Sequence, residues 1–427
     1  MKAALVYKNK TYTYDDLSKL ILEWEDKIEN IPAGSIVMIE SSFNPDSIAL
    51  LFALSQKNCI MVLCSKYSKE FIEISQPEYI ISNSIITECG INNNPNKYYQ
   101  KLRELKHPGL VAFSSGSTGK NKGIVHDFNH ILEKFKVKGR EYCTLLFLLF
   151  DHLGGINTLL YTLYNKGCAV IPDDFSVSTV LGLIEAYKVE LLPTTPSFLN
   201  MMILSGEHKK HDLSSLKLIT YGTEPMLESV LKVMNQDFPN IKLQQTYGLT
   251  EFGVFRSKSL SNDSLLVKIG GEGVETKIVD GTLHIKSKTA MLGYINEPNP
   301  FDEDGWMDTH DKVVPEGEYF RILGRDSDII NVGGLKVYPS EIESVIAEME
   351  GVDDVLIYSK ANKLVGNIVC ARVKISEGTE AKDFHLKLKR FCRERGLSKY
   401  KIPMEVDVVS HNLYTDRFKK PRTVHDK

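Results

Sequence analysis

Small hydroxylated residues, glycines and two lysines lie close together between Phe113 and Gly123, in the order Phe-Ser-Ser-Gly-Ser-Thr-Gly-Lys-Asn-Lys-Gly. Such a loop offers free backbone N–H groups, hydroxyl donors and positive charge, with little side-chain bulk to keep a phosphate away. The apolar run at 110–113 predicts a buried strand before it, so the loop follows a strand end, where phosphate-binding loops lie. The alternative is a flexible Ser/Gly surface loop.

Two common phosphate-binding patterns do not fit this stretch. The Walker pattern needs Ser or Thr after its Gly-Lys, but Asn121 follows Gly119-Lys120, and Ser114 stands where the first glycine belongs. No Gly-x-Gly-x-x-Gly dinucleotide fingerprint is present either. The loop alone therefore predicts phosphate binding of another type.

Further motifs follow the loop in a fixed order. They are Gly222-Thr223-Glu224-Pro225, Thr246-Tyr247-Gly248-Leu249-Thr250-Glu251, Asp311, Gly324-Arg325, the Gly333-Gly334-Leu335-Lys336 start of a longer motif, and a basic segment at 415–422. Together with the loop they resemble the motifs of the adenylate-forming superfamily: acyl-CoA synthetases, adenylation domains of peptide synthetases, and luciferases. The resemblance covers nearly the whole chain and is closest in style to acyl- or aryl-CoA ligases.

Four positions in or beside these motifs depart from the pattern of that family. Asn121 stands in the place of a proline, His310 and Phe418 each replace a glycine, and Ser327 occupies the hinge position where Asp or Lys is common. A hinge is still expected near Ser327. Lys420 competes with Lys419 for the role of catalytic lysine, and a disordered basic tail is the alternative for both.

The resemblance implies a set of site residues. Expected to bind the nucleotide are Ser114, Ser115, Gly116, Ser117, Thr118, Gly119, Lys122, Gly222, Thr223, Glu224, Tyr247, Gly248, Thr250, Asp311, Arg325 and Lys419. Thr118 and Glu251 are expected to bind Mg²⁺. Lys419, Thr250 and His152 are expected to take part in catalysis. Gly333, Gly334 and Lys336 are expected at the entry for a thiol acceptor. Asp311 would hold ribose hydroxyls, and Tyr247 would stack on or flank the adenine.

The acyl group is expected at Asp151, His152, Gly154 and Gly155, because the segment 150–155 resembles the acyl-pocket motif of the CoA ligases. Small residues at Gly154 and Gly155 would leave room for a flat or extended acyl group. Asp151 stands where an aromatic residue is common, and it has an alternative role as the cap of the following turn.

The elements that must carry these residues alternate between strand and helix through the first 245 residues, which predicts parallel-rich sheets covered by helices. Short strands and turns dominate from 265 to 323 and predict a β-rich subdomain. The fold class is α/β, with a core at 1–325 and a small, mobile α+β domain at 326–427 that carries the catalytic lysine. Because ligands collect beyond the carboxyl ends of strands, distant motifs can converge on one site.

Bulk properties narrow the class of protein. A net charge of −3 gives no reason to expect nucleic acid, and no apolar run is long enough to span a bilayer. Seven scattered cysteines without a Cys-x-x-Cys pair argue against a zinc site or a disulfide framework and for a reducing compartment. The first residues lack the apolar core of a signal peptide, so a cytoplasmic protein is expected.

The sequence therefore predicts an enzyme that activates a carboxylic acid with ATP and Mg²⁺ and releases pyrophosphate. The acyl group is then transferred to a thiol, and CoA is the expected acceptor. The acid could be aryl, fatty or amino. One alternative is a stand-alone adenylation enzyme that loads an acyl carrier protein on its phosphopantetheine. Another is a non-catalytic nucleotide-binding relative, whose mark would be the loss of Thr118, Glu251 or Lys419; all three are present.

Overall fold

The computed structural model describes residues 2–90, 96–115, 120–362 and 366–414. Up to residue 245 its strands are β1 Ala3–Tyr7, β2 Lys10–Thr13, β3 Ile36–Glu40, β4 Ile60–Cys64, β5 Tyr79–Ser82, β6 Ile85–Glu88, β7 Gly109–Ser115, β8 Asn121–Asp127, β9 Cys143–Leu145, β10 Cys168–Ile171, β11 Leu191–Thr194, β12 Leu218–Tyr221 and β13 Lys242–Gln245. The helices are α1 Tyr14–Lys27, α2 Pro45–Gln56, α3 Lys69–Ser75, α4 Lys97–Leu105, α5 Phe128–Glu133, α6 Leu153–Tyr164, α7 Val177–Tyr187, α8 Pro196–Ser205 and α9 Glu228–Asp237.

Together with one further strand from the next region, these strands build two seven-stranded sheets that are parallel at their centres. The first has the order β13-β12-β11-β9-β10-β1-β2, with only the β1–β2 pairing antiparallel. In the second, β7, β4, β3 and β5 run parallel, while β6 and β8 pair antiparallel at its two sides. The carboxyl ends of β7, β12 and β13 run directly into the predicted binding motifs.

Helices cover both faces of the sheets because their apolar faces must be buried. Residues of α1, α2 and α6 form one core with residues of both sheets, including Trp24, Leu51 and Leu159. Residues of α7, α8 and α9 form a second core on the other face of the first sheet. Local signals set the helix starts: Thr13 and Asp16 form a reciprocal capping box at α1, and Asn44 caps α2 ahead of Pro45.

A β-rich region follows, made of β14 Gly248–Leu249, β15 Gly253–Val254, β16 Arg256–Ser259, β17 Leu266–Gly270, β18 Val274–Val279, β19 Thr282–Ser287, β20 Gly293–Tyr294, β21 Met307–Glu316 and β22 Tyr319–Arg325. Six of these strands form an antiparallel sheet in the order β16-β17-β22-β21-β19-β18. Strand β20 instead joins the second large sheet, where it pairs with β8. The β-rich subdomain is thus physically tied to the strand that leaves the phosphate loop.

The last region has its own sheet, formed by β23 Ile330–Val332, β24 Leu335–Val337, β25 Val352–Asn362, β26 Gly366–Ile375 and β27 Glu405–Val409. Helices α10 Pro339–Ile346 and α11 Phe384–Glu394 pack with it around a separate apolar core. The predicted fold class is confirmed: a large α/β region with a β-rich part precedes a smaller α+β region. None of the helices in the described ranges has the length and apolar character needed to cross a bilayer.

Two predicted elements have different bounds in the structure. The sequence predicts a strand at 143–150 and a helix at 157–165. The strand ends at Leu145, and the helix begins four residues earlier than predicted, at Leu153. All seven cysteines are free; Cys59, Cys64, Cys370 and Cys392 are buried, whereas Cys89 is exposed.

Candidate active site

The phosphate loop joins β7 to β8 as the tip of an antiparallel hairpin. Ser114 pairs with Lys122 and Ser115 with Asn121 at its base. The tip residues Gly116, Ser117, Thr118 and Gly119 lie outside the described residues. The hairpin therefore fixes the two ends of the loop, and the roles expected for its tip stay predictions.

Asn121 occupies a position where the resemblance predicts proline, and its contacts explain the difference. Its backbone N–H and its side-chain amide both donate to the carboxylate of Glu70, at 2.9 and 2.6 Å. Proline could make neither bond, since it has no N–H and no amide. The same bonds lower the pKa of Glu70. Glu70 thus anchors the exit of the phosphate loop to α3, a contact that sequence reasoning missed.

Tyr294 brings the phosphate lysine and the expected metal-binding carboxylate to one place. Its hydroxyl donates to Glu251 Oε1 at 2.7 Å, and Lys122 Nζ lies 4.9 Å from its ring centroid. Burial, reinforced by the charge of Glu251, keeps the pKa of the phenol far above its usual value, so the proton stays on Tyr294. No sequence motif singles out Tyr294. Two residues later, the side chain of Asn296 accepts from the Gly123 N–H and donates to the Asn121 carbonyl.

Tyr247, Asp311 and Arg325 form a second group. The Tyr247 hydroxyl donates to Asp311 Oδ2 at 2.5 Å, and Arg325 Nε lies 3.6 Å from Asp311 Oδ1. Strand register explains the pair, because Asp311 and Arg325 are directly opposed on β21 and β22. Burial raises the pKa of Asp311, while Arg325 and the Tyr247 hydroxyl oppose that rise. Tyr247 is only 7% exposed and its ring lies parallel to that of Phe255, so its hydroxyl end is fixed before any ligand binds.

The backbone conformation at His310 explains why the family motif has a glycine at this position. Its φ is +58°, in the left-handed region that glycine adopts at little cost. The His310 backbone N–H donates to Asp308 Oδ1 at 2.7 Å, which stabilises this local backbone conformation within β21. The chain thus keeps the backbone shape that presents Asp311 while carrying a side chain there.

The loop at 222–225 packs directly on the segment that precedes Tyr247. A Cβ on Gly222 would lie 2.6 Å from Thr246 Oγ1 and 2.7 Å from the Thr246 carbonyl oxygen, so only glycine permits this approach. Thr223 has a positive φ of 72°. Glu224 Oε1 accepts from the backbone N–H of Ser197 at the start of α8. The loop at 222–225 and the motif that contains Tyr247, both expected to bind the nucleotide, are therefore in contact.

The expected acyl-pocket residues begin α6. Asp151 is 8% exposed and its Oδ2 accepts from the backbone N–H of Ser65, just beyond β4, at 3.1 Å. This bond connects the second sheet to the start of α6, and His152 is the N-cap residue of that helix. Asp151 thus makes a long-range contact that neither of its expected roles foresaw.

The expectation that Gly155 leaves room for the acyl group is wrong. A Cβ there would lie 2.1 Å from the carbonyl oxygen of Leu149 and 2.8 Å from that of Leu148. The space beside Gly155 is filled by backbone, so this glycine serves the packing of α6. At Gly154 a Cβ would meet Leu148 Cδ1 at 2.9 Å, a flexible methyl that can shift.

Gly155→Ala is accordingly expected to lower the free energy of unfolding by about 1–3 kcal/mol, since overpacking a filled site costs that much. Urea denaturation followed by circular dichroism measures the loss. Gly182→Ala is the matched control, because Gly182 also lies in a helix but has open space where a Cβ would be. An equal response of the two variants would contradict the packing role of Gly155.

The small region carries the residues expected to meet the thiol acceptor. Gly333 and Gly334 have φ values of 58° and 89° and form the turn between β23 and β24, and Lys336 is exposed on β24. Contacts to the core come from elsewhere: Ser340 Oγ donates to the Leu323 carbonyl at 2.7 Å, and Asn200 Nδ2 to the Asp353 carbonyl at 3.3 Å. Lys419 lies outside the described residues.

A small cavity lies between the two regions, lined among others by Ser197, Asn200 and Glu224 of the core and by Glu343 of the small region. The short segment at 247–251 contacts both site groups, because Glu251 accepts from Tyr294 and Tyr247 donates to Asp311. Among the described residues there is no group of three or more His, Cys, Asp or Glu that could hold a metal ion. A cation here would depend on Glu251 and on oxygens of the ligand.

Comparison with known proteins identifies both regions. Residues 33–295 match the model of the AMP-binding enzyme family, and residues 341–419 match the AMP-binding enzyme C-terminal domain. A 4-coumarate--CoA ligase 1 from Arabidopsis thaliana is 27% identical over 321 residues, which cover 66% of this chain and 57% of the relative. The chain thus spans little more than half of that relative. A 2-succinylbenzoate--CoA ligase from Listeria monocytogenes serotype 4b is 24% identical over 96% of this chain and 92% of its own length.

Solved structures share the fold. An anthranilate CoA ligase in complex with anthranoyl-AMP has a TM-score of 0.81 at 18% identity, covering 98% of this chain and 92% of its own. The amide bond synthetase McbA from Marinactinospora thermotolerans also has a TM-score of 0.81, at 20% identity, with 98% and 95% covered. The arrangement of a large region and a small C-terminal region therefore recurs in proteins of very different sequence.

Proposed function

The chain belongs to the AMP-binding enzyme family, and we propose that it joins a carboxylic acid to a thiol by way of an acyl-adenylate. A carboxylate oxygen attacks the α-phosphorus of ATP, the bond to the β-phosphate oxygen breaks, and pyrophosphate leaves. The thiol then attacks the acyl carbon and AMP leaves. The observation that carries the proposal is the convergence of Lys122 and Glu251 on Tyr294, beside the Tyr247–Asp311–Arg325 group.

Each group has a distinct task in the first step. Lys122 and the hydroxyls of the phosphate loop hold the β- and γ-phosphates, where an ammonium acts as a compact positive charge. Thr250 donates to the α-phosphate. Asp311 accepts from the ribose hydroxyls, and Arg325 adds donors beside it. Since phosphoryl transfer gathers negative charge, this positioning and charge stabilisation supply most of the catalysis.

Mg²⁺ fits the residues present. Glu251 offers a carboxylate whose Oε1 is already oriented by Tyr294, and Mg²⁺ needs few protein oxygens because it keeps waters and phosphate oxygens as ligands. When bound, the ion neutralises charge on the phosphates. Thr118 is part of the same proposal. The role of the chain is to hold the Glu251 carboxylate at a fixed place beside Lys122.

The second step is proposed to use the small domain, taken as residues 326–427, with Gly333, Gly334 and Lys336 near the incoming thiol. CoA is the proposed acceptor, supported by the relatives that are named as CoA ligases. The phosphopantetheine of a carrier protein is the alternative. A reducing, cytoplasmic setting belongs to the same proposal, in keeping with seven free cysteines.

An aryl acid is the first substrate class to test, because the names of the relatives include 4-coumarate and 2-succinylbenzoate, which both contain a benzene ring. The experiment measures pyrophosphate release from MgATP with 4-coumarate, 2-succinylbenzoate, anthranilate, fatty acids and amino acids, each with and without CoA. Release with one class, accelerated by CoA, supports the proposal and identifies the acid. Release that CoA leaves unchanged favours a carrier protein, and MgATP binding without release favours the non-catalytic alternative.

Asp311→Asn is expected to weaken MgATP binding by about 10-fold or more, since a hydrogen bond to a charged partner contributes about 1.5–3 kcal/mol. Isothermal titration with MgATP in the absence of any acid measures the change. Asp308→Asn is the control, because Asp308 lies on the same strand and its asparagine replacement keeps an oxygen that can accept from the His310 N–H. If Asp311→Asn binds MgATP as tightly as the wild type, Asp311 does not hold the ribose.

A further inference from the structure

Most of the carbonyl groups in the segment at 247–255, here called the Thr250 loop, accept a hydrogen bond. Its internal bonds are Phe255 N–H to Tyr247 O at 3.0 Å and Phe252 N–H to Leu249 O at 3.1 Å. Four more bonds come from outside the loop. The Met291 N–H donates to Glu251 O at 2.7 Å, and Thr289 Oγ1 donates to Phe252 O at 3.4 Å. His126 Nε2 donates to Thr250 O at 2.7 Å, and Lys134 Nζ donates to Val254 O at 3.0 Å. Engaged carbonyls restrict the backbone, so the loop is held from several sides.

Two of those outside donors are basic side chains with no role in the proposed chemistry. His126 is 1% exposed, and burial lowers the pKa of its imidazole to about 4, so the ring is neutral at neutral pH. A carbonyl can only accept, and Nε2 therefore carries the proton in the bond to Thr250. Burial also lowers the pKa of Lys134, to about 8.

His126 connects the Thr250 loop to the phosphate-binding hairpin. Lys122 and His126 both belong to β8, and residues two and four apart along a strand point to the same side. Lys122 lies over Tyr294, whose hydroxyl reaches Glu251, while His126 reaches the carbonyl of the residue before Glu251. One face of β8 thus contacts both the side chain and the backbone surroundings of the expected metal-binding residue.

We propose that His126 is a positioning residue that holds Thr250 and Glu251 at a fixed position relative to strand β8, which leaves the phosphate loop. Lys134 holds the far end of the Thr250 loop. This inference rests on the proposed function, because it assigns His126 a role through Thr250 and Glu251. Without the imidazole donor, the partly buried Thr250 carbonyl loses its hydrogen-bond partner. The loop then relaxes to satisfy that carbonyl and moves Glu251 with it.

The test compares His126→Leu, His126→Gln and the control His208→Leu. His208 is a matched control because it is also buried and its Nδ1 contacts a backbone carbonyl, that of Met202, at 2.9 Å. Titration with MgATP alone, without an acid, measures affinity, and the same titration over a range of free Mg²⁺ gives the half-saturating cation concentration. Thermal unfolding reports stability in parallel.

His126→Leu is expected to weaken MgATP binding at least 10-fold and to raise the half-saturating Mg²⁺ concentration. His126→Gln, whose amide can still donate, is expected to recover part of both losses. His208→Leu is expected to lose stability yet keep wild-type affinity and Mg²⁺ dependence. A purely structural role for His126 would lower the melting temperature without shifting the Mg²⁺ dependence.

A folded His126→Leu variant that binds MgATP within twofold of the wild type, with unchanged Mg²⁺ dependence, overturns the inference. If that variant does not fold, Lys134→Met decides, because it removes only the amine at the far end of the loop and is expected to weaken MgATP binding several-fold. Unchanged MgATP affinity of Lys134→Met then overturns the inference. A wild-type protein that binds no MgATP instead overturns the proposed function, and the inference with it.

Discussion

Glu251→Gln is expected to lower the rate of pyrophosphate release by about 10²-fold to 10³-fold, comparable with the loss of one preorganised electrostatic contact to a transition state. The substitution removes the charge that Mg²⁺ needs and keeps the shape of the side chain. Tyr294 can still donate to the amide oxygen, so the fold around residue 251 should persist. Initial rates at saturating ATP, repeated over a range of Mg²⁺ concentrations, measure the effect.

Glu185→Gln is the matched control for Glu251. Glu185 is also a glutamate with one defined partner, His211 Nδ1 at 2.8 Å, but it lies on α7 in the first sheet's outer layer. Its rate is expected to stay within about twofold of the wild type, since surface substitutions of this kind have small effects. Glu251→Gln with a near-normal rate and a normal Mg²⁺ requirement would mean that another group holds the cation.

Lys419→Ala is expected to slow formation of the acyl-adenylate by about 10²-fold or more, because a lysine that bridges the α-phosphate and the attacking carboxylate contributes several kcal/mol to the transition state. Residue 419 lies outside the described residues, so this prediction depends on its place in the Thr415–Arg422 motif of the sequence. The second step is a separate measurement: thioester formation from a chemically prepared acyl-adenylate and CoA should change little.

Lys420→Ala separates the two candidates for this role. It changes an adjacent lysine in the same segment, so a general effect of charge would reduce both variants equally. The account expects Lys420→Ala to keep at least a third of the wild-type rate. A severe loss in Lys420→Ala with a mild one in Lys419→Ala would move the role by one position, and mild effects in both would remove it from this segment.

Much of the fold could be predicted because its strands are short apolar runs between turn residues. For strand β10 the sequence predicts 168–171, which are the observed bounds, since Gly167 and Pro172 flank an uninterrupted apolar run. Strand β9 is shorter than predicted because the chain bends away after Leu145, although Leu146 N–H still bonds Val170 O. Helix α6 begins earlier than predicted because Gly154 and Gly155, which disfavour a helix on propensity alone, let it pack against the Leu149 carbonyl.

The site was predictable only where a motif carried its own chemistry. The resemblance to the adenylate-forming family pointed to Lys122, Glu251 and Asp311, but not to Tyr294 or His126, which contact the site from strands far away in the chain. A lone tyrosine or histidine in an apolar strand has no local signal that separates a core residue from a site residue. For Glu70 the sequence did contain one signal. Asn121 stands in a proline position and so adds two donors, its backbone N–H and its side-chain amide, and these need an acceptor such as Glu70.

The formation of an acyl-adenylate is tested most directly with isotope. The acid that gives the fastest pyrophosphate release is prepared with ¹⁸O in both carboxylate oxygens. It is incubated with the enzyme, MgATP and CoA, and the products are analysed by mass spectrometry. Attack on the α-phosphorus predicts AMP that carries one ¹⁸O, unlabelled pyrophosphate and an acyl-CoA thioester. Labelled inorganic phosphate together with ADP would show attack on the γ-phosphorus instead, and would contradict the account.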